Sequence, residues 1–215
     1  MMKVITLVLG PVETNTYIVA DPDTQEAVVI DPAWDGEKIA LRANREGWAI
    51  RQIWLTHAHF DHLAGVAGIA KQVIPIPPVA LHPLDIPMWE TRGGAALFGF
   101  RIEAGPRPTI ELAAGQELQV GHLRFEVRHV PGHTPGHVVF YAPAEKTLFS
   151  GDAIFAGSIG RTDLPGGSYQ QLLLSIQSQI LSLPDDTRLL SGHGLASTVG
   201  QEKRFNPFLT DLLFQ

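Results

Sequence analysis

Short apolar runs separated by turn residues fill the first part of the chain, a pattern typical of β-strands. These runs predict four strands, over residues 3–9, 16–20, 27–30 and 50–55. Between the third and the fourth strand, Asp35 fits the N-cap of a helix that ends near Gly47. The fourth predicted strand ends immediately before a cluster of histidines.

The middle of the chain has a weaker periodic pattern. Residues 62–73 predict a helix of small residues, residues 79–81 a short buried strand, and residues 84–90 one or two helical turns. Glycine and proline are frequent over residues 91–108, so regular structure is not expected there. We favour an ordinary connecting loop for this stretch, with a mobile flap that gates a cleft as the alternative.

A second series of strands is predicted in the C-terminal half, over residues 124–130, 138–141, 147–149 and 188–190. A helix begins at Ser168, which forms a capping box with Gln171. Its apolar residues recur at helical spacing and are predicted to face a core: Tyr169, Leu172, Leu173, Ile176, Ile180 and Leu183. Runs of strands interrupted by helices indicate an α/β fold, although the pattern alone does not select one arrangement of sheets.

Composition is typical of a globular chain with a large core. With 215 residues, 45% hydrophobic and 18% charged, the chain fits one domain over residues 1–215. A net charge of −6 without a run of Lys or Arg argues against nucleic acid as a partner. No apolar segment has the length of a membrane span and the N-terminus lacks the features of a signal peptide. We therefore expect a cytoplasmic protein with no membrane partner.

Three aromatic residues near the C-terminus bear on oligomeric state. Phe205, Phe208 and Phe214 are predicted to pack against the domain, and a contact between two copies is the alternative. The sequence does not decide the oligomeric state.

The densest chemical signal is the segment from Thr56 to His62, which holds three histidines and one aspartate directly after an apolar run. His57 and His59 lie two positions apart, so an extended backbone directs both rings to the same side. Asp61 and His62 follow one step further on. Neutral imidazole and carboxylate are ligands that zinc accepts, so the segment predicts a metal site rather than a polar surface loop.

Further ligands are available where other apolar strands end in turns. The three segments are residues 130–137 with His133, residues 150–152 with Asp152, and residues 191–194 with His193. Glycine in each allows a tight backbone turn, which can direct a side chain into a shared cleft. Because the chain has no cysteine, its metal ligands have to be histidine and aspartate.

The ordered motifs HxHxDH, PGHTPGH, GD and GHG resemble those of metallo-β-lactamase-fold hydrolases, and most closely the short bacterial glyoxalase II-like (hydroxyacylglutathione hydrolase-like) branch. The resemblance covers nearly the whole chain. It implies a four-layer αβ/βα sandwich, in which two mixed β-sheets pack face to face with helices outside. It also implies two divalent ions, with zinc favoured and iron or manganese as alternatives. One ion would be held by His57, His59 and His133, the other by Asp61, His62 and His193, and Asp152 would bridge both.

The same resemblance implies a dinuclear site that activates a bridging hydroxide for attack on a carbonyl carbon. Asp61 would orient the nucleophile or accept its proton. The net positive charge of such a cluster favours a small anionic substrate, and the resemblance places Arg161 at the substrate's carboxylate. The alternative for Arg161 is a surface residue paired with Asp163.

Hydrolysis of a thioester, such as S-lactoylglutathione or a related small acyl-thiol, is the leading interpretation. Asp152 argues against typical β-lactamases of this fold, and His59 replaces the glutamate expected in flavin-dependent di-iron oxidoreductases. Glyoxalase II enzymes carry a C-terminal helical region that binds glutathione, whereas only residues 194–215 follow His193 here.

Two other functions remain open. A persulfide (sulfur) dioxygenase with one iron would share His57, His59, His133 and Asp152. The second alternative is a non-catalytic metal-binding module.

Four histidines match no ligand position of the family: His82, His122, His129 and His137. Structural roles are predicted for all four. For His137, which lies four residues from His133, the alternative is a residue that donates a hydrogen bond to a ligand or lines the cleft.

Overall fold

The computed structural model describes residues 1–209. One strand, β2 (Thr14–Asp21), illustrates how the layers pack. Tyr17 and Val19 are buried on one face of this strand, and Ile18 and Ala20 are buried on the other. Successive side chains of a strand point to opposite faces, so both faces of β2 (Thr14–Asp21) are covered by other elements. A strand in such a position has to be apolar on both sides.

The N-terminal sheet contains β2 together with five other strands: β1 (Lys3–Leu9), β3 (Glu26–Ile30), β4 (Ala49–Trp54), β5 (Val79–Leu81) and β6 (Ile110–Glu111). Its order is β1-β2-β3-β4-β5-β6. The first three strands are antiparallel, and each later strand runs parallel to its predecessor, so the sheet is mixed.

The C-terminal sheet is also mixed and six-stranded, in the order β14-β13-β10-β9-β8-β7. Its strands are β7 (Glu117–Val120), β8 (Leu123–His129), β9 (Val138–Ala142), β10 (Thr147–Gly151), β13 (Arg188–Ser191) and β14 (Ser197–Thr198). Only β10 and β13 are parallel neighbours. A separate hairpin is formed by β11 (Ile154–Phe155) and β12 (Ser158–Ile159).

Residues 1–209 contain six α-helices: α1 (Gly36–Arg45), α2 (Phe60–Leu63), α3 (Val66–Gln72), α4 (Ile86–Glu90), α5 (Tyr169–Ser175) and α6 (Val199–Phe205). A π-helical turn, Ile176–Ile180, extends α5. Short 3₁₀ segments cover Pro83–Asp85, Arg92–Phe98 and Pro143–Glu145. Over residues 1–209, no helix is long and apolar enough to span a membrane.

Three apolar clusters hold the layers together. Between the sheets, the indole of Trp54 lies edge-on to Phe125 with ring centroids 5.0 Å apart, and it also contacts Phe140. A second cluster packs α1 and α3 on the outside of the N-terminal sheet, and a third packs α5 on the outside of the C-terminal sheet. The predicted α/β sandwich of two mixed sheets with helices outside is confirmed.

The helix predicted over residues 62–73 is wrong as a single helix. It is two short helices, α2 and α3, separated at Gly65. The Gly65 N–H donates to the carbonyl of Pro32 at 2.8 Å, and a Cβ at this position would lie 2.9 Å from the same oxygen. Close approach of the two backbones therefore interrupts the helix.

The stretch 91–108 is only partly irregular, because Arg92–Phe98 is helical. Gly93 and Gly94 have φ of +61° and +72°, values that interrupt a regular helix and that glycine adopts at little cost. Asp35 does occupy the N-cap position of α1. Its own φ of +47° leaves its carboxylate without a capping bond, and the carboxylate pairs with Lys38 instead.

The Ser168 capping box forms only in part. The Gln171 N–H donates to the Ser168 hydroxyl at 3.4 Å, but the Gln171 side chain bonds Ser175 instead of returning to the cap. The apolar stripe of this helix faces a core except at Tyr169, which is half exposed.

The C-terminal aromatic residues do not pack as predicted. Phe205 is 73% exposed and Phe208 is 41% exposed, because Leu209 and Val199 occupy the buried positions of this region. Phe214 lies outside the described residues.

Candidate metal centre

The seven predicted ligands lie in loops that follow strands at one edge of the two sheets. The loop after β4 carries His57, His59, Asp61 and His62, with the last two in α2. The other three ligands follow strands of the C-terminal sheet, which are β8, β10 and β13. Strand ends therefore position each ligand from a backbone that is fixed by sheet hydrogen bonds.

The first ligand group consists of His57, His59 and His133. The Nε2 of His133 lies 2.9 Å from Nδ1 of His59 and 3.2 Å from Nε2 of His57. All three side chains are buried or nearly so, and their nitrogen atoms lie close enough together to hold one ion. This is the set that the resemblance implied for one metal.

The second ligand group consists of Asp61, His62 and His193. The Oδ2 of Asp61 lies 3.4 Å from Nε2 of His62 and 3.3 Å from Nε2 of His193. These atoms likewise lie close enough together to hold one ion. It matches the set implied for the other metal.

Asp152 lies between the two groups. Its Oδ1 is 3.3 Å from Nε2 of His62, and its Oδ2 is 3.5 Å from His193 and 3.7 Å from His133. One carboxylate thus reaches nitrogen atoms of both groups, as bridging requires. His57, His62 and Asp152 also form a compact triad of their own, so His57 faces both groups.

Two buried atoms in this cluster lack hydrogen-bond partners, which bears on whether metal ions fit here. His62 Nε2 and Asp152 Oδ1 have no hydrogen-bond partner of acceptable geometry. A buried polar atom left unpaired costs free energy, and such atoms call for an ion, a water molecule or another partner. Nitrogen and carboxylate oxygen are suitable donors for zinc, iron and manganese, so this donor set fits divalent ions.

Contacts behind the ligands orient them. His62 Nδ1 donates to Asp31, and His133 Nδ1 donates to the carbonyl of Arg161 at 2.7 Å. The Thr14 hydroxyl donates to Oδ2 of Asp61 at 2.9 Å. In both histidines, a hydrogen bond at Nδ1 leaves Nε2 free to face an ion.

Asp85 connects the loop that carries His57 and His59 with the loop that carries His133. Its carboxylate accepts hydrogen bonds from the Ala58 N–H at 3.1 Å, the Thr134 hydroxyl at 2.8 Å and the Gly136 N–H at 2.6 Å. Ala58 lies between two ligands of the first group, and Thr134 follows the third. This buried aspartate therefore fixes the relative position of the first group's loops.

Neither Asp31 nor Asp85 is among the predicted site residues. A signal exists for Asp31, because it follows the apolar strand β3 as the predicted ligands follow theirs. Asp85 lies between two short helical turns, and its neighbours in the sequence give no such signal.

The electrostatics of the two groups differ. Burial lowers the pKa of His59 to about 3 and lowers that of His57 well below its ordinary value, so both rings are neutral near pH 7. Burial also acts on His193, but hydrogen bonds to Asp152 and Asp61 outweigh it and raise the pKa to about 9. The second group therefore attracts positive charge, carried either by protons or by metal ions.

The pKa values of the two carboxylates, Asp61 and Asp152, are lowered by the neighbouring histidines. Burial alone would raise the pKa of Asp61, but the charge of His62 and the hydrogen bond from His193 bring it down to about 2. The pKa of Asp152 is lowered well below its usual value because the same histidines outweigh burial. Both side chains are thus ionised at neutral pH.

His137 lies next to the ligands and contacts the backbone of Asp152. It is fully buried and accepts a hydrogen bond at Nε2 from the backbone N–H of Asp152 at 3.1 Å. Its ring is stacked beneath His57 with centroids 5.0 Å apart, so the structural role predicted for His137 agrees with its contacts. It supports the backbone that carries Asp152.

The other three histidines lie outside the metal cluster. The rings of His82 and His129 stack with centroids 4.4 Å apart and planes inclined by 6°. His122 is exposed and its Nδ1 lies 3.0 Å from a carboxylate oxygen of Asp21. Their predicted structural roles agree with these contacts.

Arg161 lines the cavity above the ligands but is already paired. Its guanidinium donates two hydrogen bonds of 2.7 Å to the carboxylate of Asp163. This is the alternative that the sequence left open, and half of the Arg161 side chain is exposed. A substrate carboxylate would have to compete with Asp163 for this cation.

The cavity above the ligands has a volume of about 190 Å³ and an apolar rim formed by Val12, Phe60, Phe98, Phe100 and Leu164. His59, Asp61, His133, Asp152 and His193 form its floor. Ligand atoms of both groups are therefore accessible from one side.

Known proteins resemble this chain in sequence. The model of a family described as the metallo-beta-lactamase superfamily matches residues 9–193, a range that contains all seven predicted ligands. The hydroxyacylglutathione hydrolase GloC of Haemophilus influenzae is 37% identical and covers 92% of this chain and 93% of its own. The probable metallo-hydrolase YqgX of Bacillus subtilis is also 37% identical, over 97% of this chain and 98% of its own.

Solved structures resemble it in fold. The BLEG-1 B3 metallo-beta-lactamase is 41% identical with a TM-score of 0.90, over 98% of this chain and all of its own. TTHA1623, solved in a di-iron-bound form, is 42% identical with a TM-score of 0.87, over 95% of this chain and all of its own. ETHE1 from Myxococcus xanthus is 26% identical with a TM-score of 0.78, over 95% of this chain and 83% of its own.

Proposed function

Because the chain belongs to the metallo-beta-lactamase superfamily, we propose that it is a metal-dependent hydrolase with two divalent ions that cleaves a small anionic thioester. One observation carries the proposal. Two buried ligand atoms without hydrogen-bond partners, His62 Nε2 and Asp152 Oδ1, lie 3.3 Å apart where the two ligand groups meet.

Each of two ions would find three protein ligands of its own and share Asp152. His57, His59 and His133 would hold the first ion, and Asp61, His62 and His193 the second. Asp152 would contact both. When bound, such a pair of ions lowers the pKa of a water molecule towards 7 and polarises a carbonyl oxygen. Zinc suits this donor set, and iron or manganese suits it as well.

The chain's own residues can orient the substrate and the attacking water molecule, and can accept a proton from that water. Asp61 is ionised at neutral pH and faces the cavity, so its carboxylate can accept a hydrogen bond from an attacking water molecule. The Thr14 hydroxyl holds Oδ2 of this carboxylate at 2.9 Å and restricts its rotation. Arg161 lies at the edge of the same cavity, where a substrate carboxylate can exchange with Asp163 for the guanidinium.

A thioester is the proposed substrate class. Support comes from the motifs, which resemble the glyoxalase II-like branch, and from similarity to a hydroxyacylglutathione hydrolase over nearly the full length of both chains. S-lactoylglutathione is therefore the first substrate to test.

The test combines metal analysis with activity. We expect close to two metal ions per chain and release of thiol from S-lactoylglutathione or a related thioester. Asp152→Ala is expected to abolish thiol release, because the Asp152 carboxylate reaches nitrogen atoms of both ligand groups. The matched control is Asp186→Ala, which removes an exposed carboxylate paired with Lys146 and should leave turnover unchanged. Full activity of Asp152→Ala would contradict the bridging role.

A second candidate is a persulfide (sulfur) dioxygenase with a single iron, favoured by the similarity to ETHE1. Oxygen uptake with glutathione persulfide, measured beside the thioester assay, separates the two. A reproducible single iron per chain together with oxygen uptake would replace the hydrolase proposal. A chromogenic β-lactam in a third assay tests the activity named for BLEG-1. If the protein binds metal but none of these assays responds, a non-catalytic metal-binding module becomes the better description.

A further inference from the structure

An apolar groove adjoins the metal centre. Its volume is about 390 Å³, and its lining residues belong to separate segments around Met88, Leu97, Pro135 and Leu164, with His59 at one end. We call it the Met88 groove. It shares His59, Phe98 and Leu164 with the cavity above the ligands, so the two spaces meet beside the first ligand group. A molecule that reaches the metal ligands can therefore extend into the groove.

The groove is chemically uniform. Its apolar side chains are Leu84, Pro87, Met88, Leu97, Phe98, Pro135, Leu164 and Pro165. Among the described residues that line it, none is Lys, Arg, Asp or Glu. The Thr91 hydroxyl already donates to the carbonyl of Met88 at 2.9 Å. Apart from His59 at the junction, the lining side chains therefore offer little to a charged ligand.

One wall of the groove is fixed to the ligand loop. A Cβ at Gly93 would lie 2.6 Å from the Ala58 carbonyl oxygen, so the 3₁₀ segment Arg92–Phe98 packs directly on the backbone next to His59. The rings of Phe60 and Phe98 are also in contact, with centroids 5.3 Å apart. The groove thus keeps a defined position relative to His59 and the loop that carries it.

We propose that the Met88 groove binds an uncharged, apolar group attached to the thioester, and that it selects substrates by this group. This inference rests on the proposed function. Burial of apolar carbon in the groove is favourable, whereas the carboxylates and ammonium of glutathione would lose hydration there without gaining partners. Any substrate charge is then placed outside the groove, on the side of Arg161. S-lactoylglutathione, whose acyl group is small and polar, is accordingly not the preferred substrate.

A binding experiment tests the groove without turnover. The chain has three methionines, and only Met88 lies away from the N-terminus, so a ¹³C-methyl-methionine label reports on the groove. The metal-loaded protein is titrated with ethanoate, butanoate, hexanoate and octanoate, and separately with the matching alkyl thiols. The carboxylates represent the acyl side of a substrate and the thiols represent its leaving group. The Met88 signal is assigned with Met88→Leu.

We expect the Met88 signal to shift and affinity to rise about three-fold per methylene in one of the two series, which also identifies the side of the thioester that enters the groove. Affinity that is independent of chain length in both series would overturn the proposal, as would binding that leaves the Met88 signal unmoved. Because the readout is binding, a protein that hydrolyses no thioester still yields a result. Failure of the proposed function is thus distinguishable from failure of the groove.

Paired variants connect the groove to selectivity. Leu97→Gln places a polar amide at the rim of the groove, and Leu174→Gln makes the same change on the exposed side of α5. Leu97→Gln is expected to reduce the ratio of octanoate to ethanoate affinity about ten-fold, or the corresponding thiol ratio, and Leu174→Gln to leave it unchanged. Equal ratios in the wild type and both variants would contradict the assignment.

Discussion

Asp31 and His62 form a hydrogen bond that fixes how His62 faces the metal centre. Asp31 Oδ2 lies 3.0 Å from Nδ1 of His62, and both side chains are buried. The same carboxylate accepts the N–H and the hydroxyl of Thr56, each at 2.7 Å. Since the Asp31 oxygen accepts in this contact, the proton of His62 lies on Nδ1 and its Nε2 points to the ligand cluster.

Asp31→Asn is expected to weaken metal binding about ten-fold to a hundred-fold. The new amide would present a donor to Nδ1 of His62, which favours the tautomer with its proton on Nε2, the atom that has to bind the ion. Metal affinity is measured by competition with a chelator, and circular dichroism checks that the fold survives. A folded variant with unchanged affinity would show that Asp31 does not select the tautomer.

Gly192→Ala is expected to expel metal from the second ligand group. A Cβ at Gly192 would overlap the carboxylate of Asp152 and lie 2.7 Å from Cε1 of His62. Metal content per chain is the measurement, and a drop by at least one ion is expected. The control is Gly194→Ala, where a Cβ meets open space but φ is +74°. That variant should lose roughly 1 kcal/mol of stability and keep its metal. Equal metal content in both variants would contradict the steric argument.

Metal affinity at the second group is expected to rise with pH. His193 has a pKa of about 9, so below that pH a bound ion displaces its proton, and the raised pKa of His62 adds to the effect. Affinity should increase about ten-fold per pH unit for each proton displaced, and the part that is due to His193 should level off above pH 9. The first group lacks this competition, because the pKa values of His57 and His59 are lowered. Chelator competition between pH 6.5 and 9 is the measurement. We expect the affinity of one ion to depend on pH and that of the other to be nearly constant.

His82 is expected to contribute to acid sensitivity of the fold. Burial, and then the nearby His129, lower its pKa to about 4 from an ordinary value of 6.5. The unfolded chain therefore binds this proton first, so the contribution of His82 is present above pH 6.5 and is lost as the pH falls through 4. Protonation would also remove the acceptor for the Leu84 N–H, which donates to His82 Nδ1 at 3.3 Å.

His82→Asn is the variant that isolates this effect. Asparagine keeps a side-chain acceptor at the cap but does not titrate. The free energy of unfolding, measured with urea at several pH values, should fall less steeply between pH 6.5 and 4 than in the wild type. Buried His57, His59 and His137 titrate in both proteins, so the difference belongs to His82. Parallel curves would count against the prediction.

Much of the fold and of the site follows from local patterns in the sequence. The strand predicted over residues 3–9 forms as Lys3–Leu9, and the one over residues 79–81 forms as Val79–Leu81, because both have clear apolar runs with turn residues beside them. The seven predicted ligands lie together because each follows a strand, and strand ends meet at one edge of the sheets.

The features that were not predicted depend on contacts between distant segments. The break at Gly65 comes from the backbone of Pro32, more than thirty residues away in the sequence. Asp85 joins loops on both sides of it in the chain through Ala58 and Gly136. No window of neighbouring residues contains such information. The same holds for the apolar groove, whose walls come from separate segments.

Each ligand group takes side chains from both sheets. His133 and His193 belong to loops of the C-terminal sheet, whereas His57, His59, Asp61 and His62 follow β4 of the N-terminal sheet. Ions bound there would oppose separation of the two halves. A free ion concentration of a hundred times the dissociation constant adds about 2.7 kcal/mol to the free energy of unfolding. Heat tolerance is thus expected to track the supply of metal in the surroundings, so that scarcity of the ion would shorten the lifetime of the folded chain as well as silence its chemistry.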